Sequence, residues 1–570
     1  MNWSLLSADP GATAELARAL KLSLPAARVL WARGYRTVDK AKKFFAPSID
    51  DLHNPYLLKS MPEAVARVRR AIAQNEPILL YGDYDVDGTS AVVILKKGLE
   101  LLGGNVSFHV PHRLRDGYGM RADVVEDAAK RGVKLIVSVD TGIRAAEVVR
   151  TASALGIDTI VTDHHLPEAE LPPAVAVLNP NRPDCVYPEK NLCGAGVALK
   201  LIQALLERHP KRAAFIESFL KLVAIATVAD VVPLTGENRV IVKRGLEGLR
   251  DVRNLGLRAL LDVSELGEGA PTAREIAFRV APRINAAGRM ASASDVIELF
   301  STNDAARARA IAAQLHELNK DRQQTEQAMV ETILKACPDV SAGDTALVFA
   351  GEGWHRGVVG IVASRVVERH YRPVFVLGIE NGLAQGSGRS IAPFHLLEAL
   401  ESMPDLFAKF GGHRQAAGVT LDAARIEEFR ERFRAYAASA LTAEDYVRTL
   451  EIDAAVALRE IDDTAAMDVL RLAPFGMGNP APVFVARGVE VVSREIKKEK
   501  HLFVKLKTAG RPLQAKAWNW ADRASEFEPG ALIDLAFTIE DDAYSAARGY
   551  APWQIIMKDA KSAAKTATFG

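Results

Sequence analysis

Cysteine is nearly absent. Cys185, Cys193 and Cys337 are the only three in 570 residues, and no two of them form a C-x-x-C pair. An odd number without metal-type spacing excludes a disulfide framework and a structural zinc site, and it fits a reducing compartment. Long apolar runs are missing too: no stretch reaches the roughly eighteen apolar residues of a membrane span. The opening Met1-Asn2-Trp3-Ser4 has no basic segment leading into an apolar core, so the sequence reads as cytoplasmic and without a membrane partner. Nor is there an excess of either charge. Lys and Arg number 72 and Asp and Glu 71, leaving +1, so any phosphate-binding surface must come from local clustering. No G-x-x-x-x-G-K-[ST] loop occurs, which argues against an ATP-driven motor.

The chain is too long for one ordinary core, and three or four domains are expected. Residues 1–60 read as a helical lead-in that packs on the first domain. From Pro77, short apolar runs alternate with helical stretches. Ile78–Tyr81, Val106–Val110, Leu135–Val139, Thr159–Val161 and Val175–Leu178 are the strands, with helices near Thr89–Leu102, Arg121–Lys130 and Ala145–Leu155. Continuous apolar strands separated by helices predict a parallel α/β sheet covered on both faces, within 61–301. A long connecting helix is expected in 302–338, with Ile311, Leu315, Leu318, Met329 and Ile333 on one stripe. A second α/β region occupies 339–445. Short alternating strands in 446–562, at Val483–Val485, Val489–Val492, Phe503–Leu506 and Leu532–Phe537, predict a small β-barrel. Residues 563–570 read as a disordered tail.

The most informative stretch is Tyr81-Gly-Asp83-Tyr-Asp85-Val-Asp87-Gly88. A solvated acidic turn is one reading. A calcium loop is another, but the twelfth position, which needs a bidentate Glu, is Ile94, and a strand rather than a helix precedes the run. What remains is a carboxylate cluster at the C-terminal end of a parallel strand, where open α/β sheets place their ligands. Two further strands end alike, in Asp140-Thr141-Gly142 and in Asp163-His164-His165. Each aspartate alone reads as a helix cap; three such ends on one sheet edge point to a metal site. Carboxylates with imidazole and no thiolate suit Mn²⁺ or Mg²⁺. So many ligands exceed the needs of one ion, and two ions about 3.5–4 Å apart suit in-line displacement at phosphorus.

Taken in order, Asp85-x-Asp87, Asp140, Asp163-His164-His165 and the later Asp230 resemble the four motifs of the DHH phosphoesterase superfamily. Most of the chain is similar to its RecJ branch of 5′→3′ exonucleases specific for single-stranded DNA. The segments that carry this are GDYDVDG at 82–88, PHRLRDGYG at 111–119, SVDTGI at 138–143, TDHHLP at 162–167 and LNPN at 178–181. They continue with TVADVVPL at 227–234, PRINAAGRM at 282–290, GWHRGVVGIVASR at 353–365, GSGRS at 386–390 and FGGHRQAAG at 410–418.

The resemblance implies a DHH domain joined by the long helix to a DHH-associated domain, followed by an oligonucleotide-binding barrel with Pro474-Phe-Gly-Met-Gly-Asn-Pro480. It implies Asp83, Asp85, Asp87, Asp140, His164 and Asp230 as ligands of two Mn²⁺ or Mg²⁺ ions, with Asp140 bridging. His165 contacts the scissile phosphate and Asp163 orients a histidine, making Asp140, Asp163 and His165 the catalytic set. Arg113, Ser387 and Arg389 are implied to receive a terminal 5′-phosphate, with Arg289, His355, Arg356 and Gly411-Gly412-His413 also against the DNA. In the barrel, Lys497, Lys498, Lys500 and Phe503 lie in a basic and aromatic run suited to a single strand, although a charged run also reads as a solvated face.

The expected activity is 5′→3′ hydrolysis of single-stranded DNA to mononucleotides in recombination and repair. Its expected setting is a monomer at the nucleoid, working with a helicase and a single-stranded-DNA-binding protein. A DHH phosphodiesterase for very short oligonucleotides or cyclic dinucleotides is the alternative. A non-catalytic structural member of the superfamily is disfavoured because the ligand motifs are all present.

Overall fold

The computed structural model describes residues 1–113, 115–266, 269–341, 343–508 and 512–563, so the tail expected to be disordered lies outside them from residue 564. The chain folds into two compact units. Met1–Leu52, Pro233–Lys243 and the stretch from Thr449 onward form one; His53–Val232 and Arg244–Arg448 form the other.

The larger unit contains two sheets. The first has five parallel strands in the order Asn105–His109, Pro77–Tyr81, Leu135–Val139, Asp158–Thr162 and Ala176–Leu178. Leu79, Leu80, Tyr81, Ile136 and Val137 are fully buried, as strands covered on both faces must be. Each such side chain contributes roughly 1.5–3 kcal/mol relative to exposure. Counted in chain order within this sheet, the strands run 2-1-3-4-5. The order therefore reverses between Pro77–Tyr81 and Leu135–Val139, and a crevice opens at the carboxyl ends of those two strands.

The second sheet is mixed, in the order Lys409–Gly412, Ala416–Asp422, Leu383–Arg389, Val374–Glu380 and Leu347–Glu352. The helix Ala305–Ala336 precedes it, capped by Asp304 Oδ1, which accepts from Ala306 N and Arg307 N. Its buried stripe differs from the expected one. Leu318 is only half-buried, while Asn319, Arg322 and Glu326 occupy the stripe between Leu315 and Met329. Polar residues are tolerated there because they satisfy one another: Arg322 donates to Asn319 Oδ1 and pairs with Glu326 at 2.7 Å, and Glu326 also accepts from Arg365 at 3.0 Å.

In the smaller unit, five strands close into a barrel. Phe484–Lys497 pairs with His501–Leu506 and also with Leu532–Asp541, while Leu513–Ala517 and Trp553–Ser562 complete the ring. The two strands expected around Val483–Val492 are one bent strand, whose register breaks between Ala486 and Val489 where Gly488 has φ +61°.

The lead-in also needs correction. It begins with a strand, Asn2–Leu5, parallel to Thr449–Ile452. Its helices Pro10–Leu20 and Leu24–Ala32 place Leu16, Ala26, Val29 and Leu30 in one apolar core with Phe484, Val504 and Phe537 of the barrel. The physical reason is partner choice: an amphipathic helix packs on whichever apolar face the tertiary fold supplies, which chain order does not specify.

Candidate metal centre and phosphate pocket

The acidic run follows strand Pro77–Tyr81 into the crevice. Asp85 caps helix Val86–Leu101, its Oδ1 accepting from Asp87 N at 2.9 Å and Gly88 N at 3.0 Å. The carboxylate of Asp87 lies at the start of helix Gly194–Leu205, where its two oxygens accept from Gly194 N at 2.5 Å and Ala195 N at 2.7 Å. A helix N-terminus is a favourable seat for an anion. Asp140, after strand Leu135–Val139, adopts φ +59°, in the left-handed region that few residues other than Gly, Asn and Asp enter readily. It is packed so closely on Gly194 that a Cβ there would lie 2.6 Å from Asp140 Cβ.

Strand Asp158–Thr162 delivers Asp163, His164 and His165. The Asp163 carboxylate is a fixing point: Oδ2 accepts from Ile143 N at 2.9 Å, and Oδ1 from His164 N, His165 N and the His165 ring at 2.7 Å. The carboxylate holds a proton on His165 Nδ1 and leaves Nε2 available to a substrate. Burial lowers the His165 pKa, but the hydrogen bond and charge of Asp163 outweigh it and the net shift is upward. His164 reaches across the cluster. Its Nε2 lies 3.1 Å from Asp140 Oδ1 and 3.8 Å from Asp87 Oδ2, and its Nδ1 lies 3.8 Å from Asp230 Oδ2.

The described residues thus offer three overlapping groups of ligand atoms: Asp83, Asp85 and Asp140; Asp140, His164 and His165; and Asp87, His164 and Asp230. Within each, the atoms lie inside 4.8 Å of one another. The cluster is unsatisfied without a cation. Asp83 Oδ1, Asp140 Oδ1 and Asp230 Oδ2 are buried and accept no hydrogen bond. Burial, then the neighbouring carboxylates, pushes the pKa of Asp83 and Asp140 far above the carboxylate range, and that of Asp230 to about 9. Oxygen-rich groups of this spacing fit hard divalent cations such as Mn²⁺ or Mg²⁺.

Beside the acids lies a basic pocket. Arg113 comes from the loop after Asn105–His109 and stacks on the Tyr84 ring at 5.0 Å. Arg289, on helix Ala281–Met290, donates to Gly357 O at 2.9 Å. Ser387 and Arg389 lie on strand Leu383–Arg389, against the first turn of helix Val359–His370: a Cβ on Gly360 would lie 3.1 Å from Arg389 Nη2 and 3.5 Å from Ser387 Oγ. Burial and then the charge of Arg113 lower the pKa of both Arg289, to about 10, and Arg389. Among the described residues no carboxylate pairs with Arg113, Arg289 or Arg389. Half-buried cations that repel one another beside a helix N-terminus make an anion site.

Arg289 also lines a cavity of about 680 Å³ with Phe278, Arg322, Gln323, Glu326 and Arg365. Asn285 connects this cavity to the acidic run, lining it and accepting from Val86 N at 3.3 Å.

Other residues named from the sequence are distributed differently. His413, after the edge strand Lys409–Gly412 that carries Gly411 and Gly412, lies on the His165 side. Its pKa is lowered by burial and then by the charges of Arg144 and His165. His355 turns back on its own loop, where Nδ1 accepts from Gly357 N at 3.1 Å. Arg356 is not in the basic pocket's charge cluster; it pairs with Glu380 at 2.9 Å.

On the barrel, Lys497 and Lys500 flank a turn in which Lys498 and Glu499 have φ +51° and +55°. Lys497 and Lys516 lie over the Phe503 ring, at 4.7 and 5.9 Å, and Trp518 stands edge-on to Phe503 and His501.

Several residues that touch these groups are not singled out by the sequence. Trp518 and Lys516 lie outside the basic run. Tyr118 lies in the PHRLRDGYG segment. Much of its ring is exposed, yet its hydroxyl donates to Asp140 O and lies 3.3 Å from His165 Nδ1. Asn179 and Asn181, in LNPN, hold the backbone of the histidine pair by donating to His165 O and His164 O. The charged residues on the apolar stripe of the long helix were the available signal for the cavity.

Comparison with known proteins agrees with this architecture. The DHH family N-terminal domain matches residues 77–227, the DHHA1 domain residues 343–439 and the RecJ OB domain residues 452–559. The single-stranded-DNA-specific exonuclease RecJ of Bacillus subtilis is 38% identical over 539 residues, covering 94% of this chain and 68% of the relative. The chain belongs to the RecJ family. The exonuclease RecJ of Dickeya dadantii is also 38% identical, with 86% of this chain and 88% of the relative covered. Among solved structures, RecJ of Thermus thermophilus in complex with Mn²⁺ superposes with a TM-score of 0.84 at 34% identity, covering 98% of this chain and 79% of the other. The corresponding complex with Mg²⁺ gives 0.78 at 32% identity, covering 98% and 78%. The RecJ fold therefore extends through the DHH domain, the connecting helix, the DHH-associated domain and the barrel.

Proposed function

We propose that this RecJ-family exonuclease removes mononucleotides from the 5′ end of single-stranded DNA by phosphodiester hydrolysis, in recombination and repair. The observation that carries the reading is the adjacency, within one unit, of a carboxylate and imidazole cluster to a basic pocket that no carboxylate pairs among the described residues.

Asp83, Asp85, Asp87, Asp140, His164 and Asp230 would hold two Mn²⁺ or Mg²⁺ ions, with Asp140 shared. When bound, the ions supply a nucleophile from water and neutralise charge on the phosphoryl oxygens. The residues do the rest. Asp163 fixes the His165 ring, and Nε2 of that ring faces the scissile phosphate and serves the departing oxygen. Arg113, Arg289, Ser387 and Arg389 seat the terminal 5′-phosphate, which fixes which bond reaches the acids. His413 and the Gly411-Gly412 backbone contact the phosphate from the second sheet.

The cavity lined by Phe278, Arg322 and Arg365 admits the following nucleotides, and in the other unit the face built by Lys497, Phe503, Lys516 and Trp518 binds single strand. The candidate ligands and the basic pocket lie within one unit, so the site needs no second copy and we infer a monomer. A helicase to open duplex and a single-stranded-DNA-binding protein to present the strand are the partners that such a substrate requires, at the nucleoid. No helix among the described residues is long and apolar enough to cross a membrane.

The test is product analysis on 5′- and 3′-labelled single strands, duplexes and dinucleotides. A 5′-labelled single strand should release labelled mononucleotide first, with Mn²⁺ or Mg²⁺, and nothing in chelator. Release from the 3′ end, or preference for dinucleotides, would favour the alternative of a short-substrate phosphodiesterase.

The barrel face gives a second expectation. Trp518→Ala should weaken binding of a long strand roughly 5- to 150-fold, because a stacked base is worth about 1–3 kcal/mol. Cleavage of very short strands should hold steady. Lys516→Ala should in addition flatten the salt dependence of binding. Fluorescence anisotropy across a salt series decides it, and unchanged affinity in both variants removes this face from the DNA path. Substitution is a cleaner probe than deleting the barrel, since deletion would strip Leu16, Val29 and Leu30 of their core.

A further inference from the structure

The cavity beside Arg289 holds a carboxylate that the function proposed above does not use. Arg289, Arg322 and Arg365 line it, and Glu326 is the one acid in its wall among the described residues. A cavity that only gripped a polyanion would be weakened by such a group, because like charges repel. Glu326 is no solvated bystander either. It is 9% exposed, and its two oxygens serve two different arginines: Oε2 accepts from Arg322 Nη1 at 2.7 Å and Oε1 from Arg365 Nε at 3.0 Å.

The two arginines are held in place apart from Glu326. Arg322 is 7% exposed and stands one turn before Glu326 on the helix Ala305–Ala336, where Asn319 Oδ1 accepts from its Nε and Nη2 at 3.2 and 3.1 Å. Three of its five N–H groups are thereby engaged among the described residues, which leaves two for a ligand. Arg365, on helix Val359–His370, is more open and holds the exposed Glu368 through Nη1 at 3.1 Å. Phe278, on the single π-helical turn Ile276–Val280, adds an exposed aromatic ring to the same lining. Guanidinium groups beside a ring suit a guest with anionic links and flat apolar faces.

A buried guanidinium without a counter-charge is costly. Glu326 supplies that charge to Arg322 when the cavity is empty, and a phosphate can supply it when a DNA strand is bound. Exchanging one anion for the other leaves a small net gain, which an enzyme acting repeatedly on a polymer needs, since the strand must shift by one nucleotide after every cut. We propose that Glu326 sets the grip of the cavity: its carboxylate competes with strand phosphate for Arg322 and Arg365, so that the strand is held loosely enough to advance. Glu326 acts through the arginines and is a positioning residue. This rests on reading the cavity as the path of the nucleotides that follow the 5′ end.

The test uses the full-length protein and a short 5′-phosphorylated single strand, with binding read by fluorescence anisotropy in chelator across a salt series. Glu326→Gln should bind the strand about tenfold more tightly at low salt, the scale of one charge-assisted hydrogen bond. The slope of log affinity against log salt should steepen by about 0.7, as for one further phosphate neutralised on a single strand. In Mn²⁺, kcat and KM on long strands should fall together, because the strand is released more slowly. Without DNA the variant should melt lower than the natural protein, and the strand should raise its melting temperature by more. A merely structural ion pair would lower the melting temperature without tightening binding. Glu368→Gln removes the exposed carboxylate on Arg365 and should shift affinity in the same direction by about twofold. Unchanged or weaker binding in Glu326→Gln, or in Glu368→Gln should the first variant not fold, overturns the proposal. Arg365→Gln probes the reading beneath it and should weaken binding and flatten the slope. If it changes neither, the cavity lies off the DNA path; if it changes both while Glu326→Gln binds no tighter, the path stands and the role of Glu326 falls.

Discussion

In chelator at pH 8, Asp140→Asn is expected to melt at a higher temperature than the natural protein while having lost its nuclease activity. The two effects share one cause. Burial and then the charges of Asp87, Asp85 and Asp83 raise the Asp140 pKa well above the carboxylate range. A carboxyl group whose pKa is higher in the folded protein than in the unfolded chain disfavours folding above its unfolded value, and the cost fades as pH falls below it. Asparagine removes that cost and still accepts φ +59°. Each kcal/mol recovered is worth about 2–4 °C in a domain of ordinary size. The gap between the two proteins should therefore close towards pH 4. Excess Mn²⁺ should close it as well, because a ligand that binds only the folded protein stabilises by mass action. Activity should fall at least about 100-fold, the lower edge for loss of a positioned electrostatic partner. Differential scanning fluorimetry across pH, with and without Mn²⁺, checks the first part, and nucleotide release the second. A variant that melts lower in chelator and still degrades DNA would show that Asp140 is not the shared carboxylate.

The second large effect concerns polarity. Arg389→Ala should reduce degradation of 5′-phosphorylated strands by roughly 10- to 150-fold, as expected for one charge-assisted contact of about 1.5–3 kcal/mol. Strands with a 5′-hydroxyl should lose far less. The warrant is that Arg389 is half-buried beside Arg113 and Ser387 with no carboxylate paired to it among the described residues. Such a cation is costly unless an anion arrives. Steady-state rates on the two substrates decide the matter: equal losses, or none, place the 5′ pocket elsewhere.

The acids were legible because chemistry and topology coincide in Asp83-x-Asp85-x-Asp87, Asp140 and Asp163-His164-His165. Alternating apolar strands set the sheet edge, and side chains at its tips follow from it. Asp230 was reached only by resemblance, since Thr227-Val228-Ala229-Asp230 is written like any helix end and its meaning lies in the distance to His164. Arg356 shows the converse. Its neighbours in sequence suggested a phosphate contact, but Glu380, on an adjoining strand, satisfies its charge. The lead-in was misplaced for a related reason: the helical pattern of Pro10–Leu20 says which face is apolar, not which core receives it. In the long helix, Arg322 and Glu326 on an apolar stripe were visible anomalies, and they mark the cavity.

The sharing of one core by residues 1–52 and the barrel has a consequence for synthesis. Leu52 and Thr449 are separated by 449 − 52 = 397 positions, which contain the whole of the larger unit. At about 5–20 residues per second, the ribosome needs roughly 20–80 s to cross that interval. For that time the amphipathic helices Pro10–Leu20 and Leu24–Ala32 are made but lack the strands that bury Leu16, Val29 and Leu30. The catalytic half can complete its two sheets while the N-terminal arm waits outside. The order of maturation is thus larger unit first and barrel unit last, and a nascent chain is most vulnerable to aggregation and proteolysis at its oldest residues.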